Sequence, residues 1–473
     1  MIRAGHLMLL YIFCMLFVAC YRSINLRVMK TMILLALMMI SLADATEAQI
    51  PLNVDAHQKK PDKDITFTYI YRNLQSGVVL RAIDKGTGEA TEINSRDLKN
   101  FEFMPKDLNQ VWQSELLKAK TYEKLLRGFQ YDLRNAMEAE MSEYLGTLEQ
   151  AGRFYIDSYL ETRLYGILRR IYPVRPDDGR PGIMSLRIIA DLSPDIWVGP
   201  DGTMIITTGM ITAVNSEDEL MAVMAQEVAH FALDHYMNNY DSLVANFAEP
   251  HLSLVIRYSP VQEKQADGCA VSVLKILDKN PAALGSVLRK VRHYGEMTGD
   301  YYLTTVNGSF PLAVNRAATF NDTDTFFSAD YEKLISPIIS YTAFDAYNQS
   351  QYPLCKWLLE RNMKSGEASA EDYILMSQTL LLLSDTEEKD REALDMVRRV
   401  IVPGTAVPAE AYKQEALVLM RMGRDNEAAA SLDRYAVSLD ENYKKYTSMS
   451  GDWSQMLSYL SAEKNWVERT RRR

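Results

Sequence analysis

The run Asp218-Glu219-Leu220-Met221-Ala222-Val223-Met224-Ala225-Gln226-Glu227-Val228-Ala229-His230-Phe231-Ala232-Leu233-Asp234-His235 decides how this chain is read. It is expected to form one helix. Ser216 or Asp218 caps its start, and Glu217, Asp218 and Glu219 sit where the positive end of the helix dipole favours acids. Leu220, Val223, Met224, Val228 and Phe231 make a wide apolar face, so the helix is expected to be largely buried. Yet it carries Gln226, Glu227 and His230. At 3.6 residues per turn, positions 226 and 230 share a face one turn apart, and Glu227 stands at the edge of that face.

The pattern is one residue short of His-Glu-x-x-His. In that motif two imidazoles one turn apart bind zinc, and the Glu between them takes a proton from metal-bound water. Here Gln226 stands where the first His would be. A bare Glu-x-x-His is a weak signal, because a buried polar pair gives the same letters.

A second stretch adds weight: Ser259-Pro260-Val261-Gln262-Glu263-Lys264-Gln265-Ala266-Asp267-Gly268-Cys269-Ala270. Upstream lies Pro194-Asp195-Ile196-Trp197-Val198-Gly199-Pro200-Asp201-Gly202-Thr203-Met204-Ile205-Ile206-Thr207-Thr208-Gly209-Met210, a strand, a glycine turn and a Thr-Gly-Met step into the helix. With the 218–235 run between them, these segments resemble the HtpX-like and CaaX-protease-like zinc metallopeptidases over about residues 180 to 320. The resemblance implies an α+β, mostly helical, zincin-type fold with a small β-sheet, and one Zn2+ per chain. It implies His230 and Glu263 as metal ligands, Gln226 at the remaining ligand position and Glu227 as general base. Asp267, one turn after Glu263, would hold a ligand imidazole in one tautomer, with Arg316 as a further support. Without the resemblance, Glu263 reads as a solvated helix residue, and Asp267 as a cap or a partner for Lys264.

Two departures bear on catalysis. An amide oxygen is a far weaker zinc ligand than imidazole. His235 is not expected to substitute from the same helix, since five residues turn it about 140 degrees around the axis; its ordinary role is a cation at the helix end. His251 and His293 could supply a ligand only through the tertiary fold. The second departure is Gly308-Ser309-Phe310-Pro311-Leu312-Ala313-Val314-Asn315-Arg316, where the family often has His-Pro and then Arg. Phe310 replaces that His, while Pro311 and Arg316 remain.

The chain has 473 residues, enough for two or three domains, with 47% hydrophobic and 24% charged residues. A net charge of -10 argues against nucleic acid as the main partner. Residues 1–45 read as a signal region. Met29-Lys30 gives a charged start, Met32 to Leu42 an apolar core, and Ala43-Asp44-Ala45 a small-x-small cleavage site. Translation is expected to begin at Met29, with cleavage after Ala45. The competing reading is a lipoprotein signal ending at Cys20. Neither this run nor the earlier apolar run, Leu7 to Cys20, reaches the roughly twenty residues that span a bilayer, so membrane association is expected only through this region. If the leader is removed, Cys269 and Cys355 remain, too few for a disulfide framework.

Polar residues 46–63 read as a flexible linker, followed by strands at Ile65–Tyr71 and Val78–Ile83, so that 46–105 is a linker with a small β element. Residues 106–334 are expected to form the peptidase-like domain. They hold a helical region to Ile171, strands at Ser185–Ala190 and Ile205–Thr207, and a loop or broken helix over 236–258. Residues 335–473 read as helical hairpins, of which Ala411–Leu439 comes nearest to a tetratricopeptide repeat; Tyr373–Val400 and Tyr341–Met363 are looser copies. The tail Arg469–Arg473 reads as a solvated end.

The expected function is that of an exported zinc metalloendopeptidase-family protein, periplasmic or envelope-associated, acting on misfolded or envelope polypeptides. The alternatives are an inactive pseudoprotease that binds chains in its cleft, and an adaptor in which only the repeats matter.

Overall fold

The computed structural model describes residues 49–73, 75–126, 131–173, 182–183, 185–245, 257–299 and 326–471. The expected signal region, His251, Phe310, Pro311 and Arg316 lie outside the described residues. The chain divides into two compact units: Met1–Phe103 with Tyr122–Arg127, and the remainder.

The first unit is built on an antiparallel sheet of β1 (Gln49–Lys59), β2 (Asp62–Asn73), β3 (Gly77–Asp84), β4 (Ala90–Asn94) and β5 (Phe101–Phe103), in the order β4-β3-β2-β1-β5. Val54 and Ala56 on β1 face Phe67 and Ile65 on β2, and all four are buried. The expected linker over 46–63 is therefore corrected: its described part is a strand and the start of the next. Its polar composition hid a two-residue alternation in which Leu52, Val54 and Ala56 face inward. Lys60-Pro61 is the hairpin connection between β1 and β2.

The second unit opens with α1 (Leu108–Lys118), α3 (Tyr131–Gln150) and α4 (Ser158–Ile171); α2 (Thr121–Leu126) falls almost wholly in the first unit. Helix α4 runs through Gly166 and ends at Ile171. A three-stranded sheet follows, in the order β6 (Ser185–Ile189), β8 (Thr203–Thr207), β7 (Ile196–Val198), with β6 parallel and β7 antiparallel to β8. Met137 and Met141 of α3 pack on Ile189, Trp197 and Ile205 of the sheet.

From β8 the chain turns directly into α5 (Thr208–Ala213) and α6 (Glu217–Ala232). Gly209 is required at this turn: a side-chain carbon there would stand 2.3 Å from the Leu192 carbonyl oxygen and 2.6 Å from that of Ser193. Ser216 caps α6 by accepting from the Glu219 N–H at 3.2 Å. Every residue of α6 from Glu219 onward is buried. Then come α7 (His235–Ala245), α8 (Pro260–Ile276) and α9 (Ala282–Thr298). A capping box of Ser259 and Gln262 starts α8.

The run 218–235 is not one helix. It ends at Ala232, and Asp234 adopts a left-handed backbone (φ 67°) before α7 begins at His235. Asp tolerates this conformation better than most residues. Arg134 of α3 holds the turn, donating to Asp234 at 2.6 Å and to the Tyr236 hydroxyl at 3.0 Å. The expected loop over 236–258 is likewise helical as far as Ala245, and residues 246–256 lie outside the described residues.

The C-terminal part holds α10 (Ala329–Asn348), α11 (Tyr352–Ser365), α12 (Ala370–Leu383), α13 (Glu387–Arg398), α14 (Ala409–Arg421), α15 (Asp425–Ser448) and α16 (Ser454–Arg471). Pairs α10–α11, α12–α13 and α14–α15 pack as successive hairpins. Their first helices start at Ala329, Ala370 and Ala409, wider than the period of about 34 residues of a tetratricopeptide array. The expected boundary at 334/335 falls inside α10. The tail is helical through Arg471, which pairs with Asp433. Among the described residues, no helix is long and apolar enough to cross a membrane.

Candidate functional site

Three elements of the second unit bring the predicted side chains together. Helix α6 supplies Gln226, Glu227 and His230; α7 supplies His235; α8 supplies Glu263 and Asp267. All are buried, His230 most deeply at 1% exposure. The imidazole at 230 and the carboxylate at 263 do meet: His230 Nε2 is 3.5 Å from Glu263 Oε2. Between them lies Gln226, whose Nε2 is 2.9 Å from Glu263 Oε2 and 3.0 Å from His230 Nε2. Asp267 is buried one turn beyond Glu263 on the same helix.

His235 corrects the sequence reading. On a continuous helix it would point away from His230. The break at Asp234 swings it back, and its Nδ1 lies 3.0 Å from His230 Nδ1. Its Nε2 lies 3.1 Å from Gln265 Oε1. It belongs to the site, at the start of α7 rather than at the end of α6. Gln262 secures the same turn by donating to the His235 carbonyl at 3.2 Å and to Asn239 at 3.0 Å. His293 is no part of the cluster: it is exposed on α9 beside Glu296.

Tyr258 also escaped the sequence reading. Its ring stacks on His230, with centroids 3.7 Å apart and planes inclined by 16°. Burial, then the charges of Glu227 and Glu263, hold its phenol well above the usual range. Glu227 thus lies within electrostatic reach of the ring that stacks on His230. Arg134, which sets the turn, lies a hundred residues upstream and gave no local signal. Cys269 and Cys355 are both free and buried.

Zinc can be tested against this donor set. Two ligands bound at about 2.0–2.2 Å with a tetrahedral angle stand roughly 3.3–3.6 Å apart, which His230 Nε2 and Glu263 Oε2 satisfy at 3.5 Å. The third position fails. Gln226 turns its amide nitrogen toward both, and an amide N–H has no lone pair to give a metal. Among the described residues, no group of three or more His, Cys, Asp or Glu side chains is placed to hold a metal ion. As the side chains stand, zinc does not fit.

A model of peptidase family M48, whose members depend on zinc, matches residues 196–248, the stretch from β7 through α6 into α7. The match supports a metallopeptidase-type function. It ends before Glu263 and Asp267, so the placing of those residues rests on the geometry alone. No curated protein matches the chain.

Proposed function

We propose that this chain is an exported, envelope-associated protein of metallopeptidase type that binds misfolded or envelope polypeptides without hydrolysing them. One observation carries the reading: the Gln226 amide nitrogen stands within 3.0 Å of both remaining ligand candidates, where a metal would be needed. The expected signal region at Met29–Ala45 supports export, and the helical hairpins of 329–448 support docking of polypeptide partners in the manner of tetratricopeptide-like arrays. In this reading 106–334 is an HtpX-like domain and 335–473 a helical partner domain. Glu227 then stands in the sequence position of the general base, and Asp267 and Arg316 in those of the residues that support the metal ligands.

The test uses the purified mature chain with reduced, unfolded casein. The expected result is retention of casein and suppression of its aggregation, with no cleavage products, whether zinc or chelator is present. Zinc-dependent cleavage abolished by Glu227→Gln would overturn the reading. One observation favours a second reading, an active zinc endopeptidase: the 3.5 Å spacing of His230 and Glu263 is that of a zinc-ligand pair.

A further inference from the structure

Two side-chain contacts of α8 with the cluster frame a longer path. Glu263 touches Gln226 of α6, and Gln265, two residues on, touches His235 of α7. Between these points the contacts run without a gap: Glu263 to Gln226, Gln226 to His230, His230 to His235, His235 to Gln265. A chain of hydrogen bonds therefore leaves α8, crosses α6 and α7, and returns to α8.

One link sets the direction of all the others. A carboxylate only accepts, so the Gln226 group facing Glu263 is its NH2. The second proton of that NH2 points at His230 Nε2, which must then be a bare acceptor. A neutral imidazole with a bare Nε2 carries its proton on Nδ1, and His230 Nδ1 donates to His235 Nδ1. That nitrogen accepts, so the His235 proton sits on Nε2 and donates to Gln265 Oε1. The assignment is consistent across the four contacts of the chain. Buried polar groups are costly unless partnered, and here two imidazoles and the amide NH2 find partners among the side chains themselves.

We infer that Gln226 is a built-in cross-link: its two amide protons order a hydrogen-bonded chain from Glu263 through His230 and His235 to Gln265, which pins α8 to α6 and α7 and takes the place of a metal. The inference rests on reading this cluster as a metallopeptidase centre. It goes further in giving the cluster a structural task and a fixed proton arrangement. The amide does what a metal ligand set does, which is to tie three helices at one buried point. Gln226 is a positioning residue here, and Gln265, at the far and more exposed end, is part of the same device.

The experiment is nitrogen-15 NMR of the full chain labelled at its six histidines. The expected result is His230 protonated at Nδ1 with a bare Nε2, and His235 protonated at Nε2. Excess zinc should leave both ring signals where they are. Gln265→Leu, at the solvent end of the chain, should shift the ring nitrogens of His235 and, through it, those of His230. The inference is overturned if His230 carries its proton on Nε2, if zinc moves the His230 Nε2 signal, or if Gln265→Leu disturbs His235 alone. Casein retention is measured on the same samples. A wrong proton pattern with casein still held would refute the cross-link and leave the proposed function standing; the reverse outcome would do the opposite.

Discussion

Replacing Arg361 by alanine is expected to destabilise the second unit by about 3–5 kcal/mol, the range for stripping one partner from a buried ion pair. Arg361 of α11 is 10% exposed and Glu332 of α10 is 2% exposed. The guanidinium grips Glu332 with two nitrogens, at 2.6 and 2.7 Å. It also donates to the Val214 carbonyl at 2.6 Å and to the Thr212 carbonyl, both at the end of α5. Removal leaves a carboxylate without its cation in a dry place and two carbonyls without a donor. Because α5 leads straight into α6, the loss should also loosen the entrance to the candidate site. Denaturant unfolding measures the first effect, and hydrogen exchange over residues 208–232 measures the second. A change under about 1 kcal/mol would mean that the pair is solvated, as surface pairs are.

The second large effect is expected at Lys290→Met, at about 3 kcal/mol or somewhat more. Glu219 of α6 is fully buried, and Lys290 of α9 reaches both of its oxygens, at 2.6 and 2.7 Å. Burial pulls the Lys290 ammonium below its ordinary range, against the pull of Glu219. Without the lysine, Glu219 keeps Ser286 at 2.6 Å and the Asn215 N–H at 2.7 Å, which places the loss toward the lower end of the range. Glu219→Gln combined with Lys290→Met removes the orphaned charge and should recover most of the stability. Strictly additive losses in the double variant would show that the two side chains do not interact.

Much of the site could be read from the letters, because helical spacing is local. Residues 226 and 230 had to share a face with Glu227 at its edge, and Glu263 and Asp267 lie one turn apart on their own helix. The strands at 185–189 and 203–207 and the successive C-terminal hairpins were likewise local patterns. What stayed hidden depends on partners distant in sequence. The turn at Asp234 is fixed by Arg134, and without it His235 points the wrong way. The preference of Asp for left-handed backbone was the one available hint. Gln226 was weighed as a poor oxygen ligand; its nitrogen faces the site because Glu263 accepts from it, a fact about a neighbour 37 residues on. The stacking of Tyr258 on His230 had no periodic signature at all. In β1, composition outweighed alternation, and a paired strand was taken for a linker.

The most direct measurement is the metal content of the mature protein, purified without chelator and compared with its Gln226→His and His230→Ala variants. The account predicts no bound zinc in the natural chain and a gain of zinc in Gln226→His, where an imidazole replaces the amide. One zinc per natural chain, lost on His230→Ala, would contradict it: Gln226 would then be a ligand, and the centre a working one.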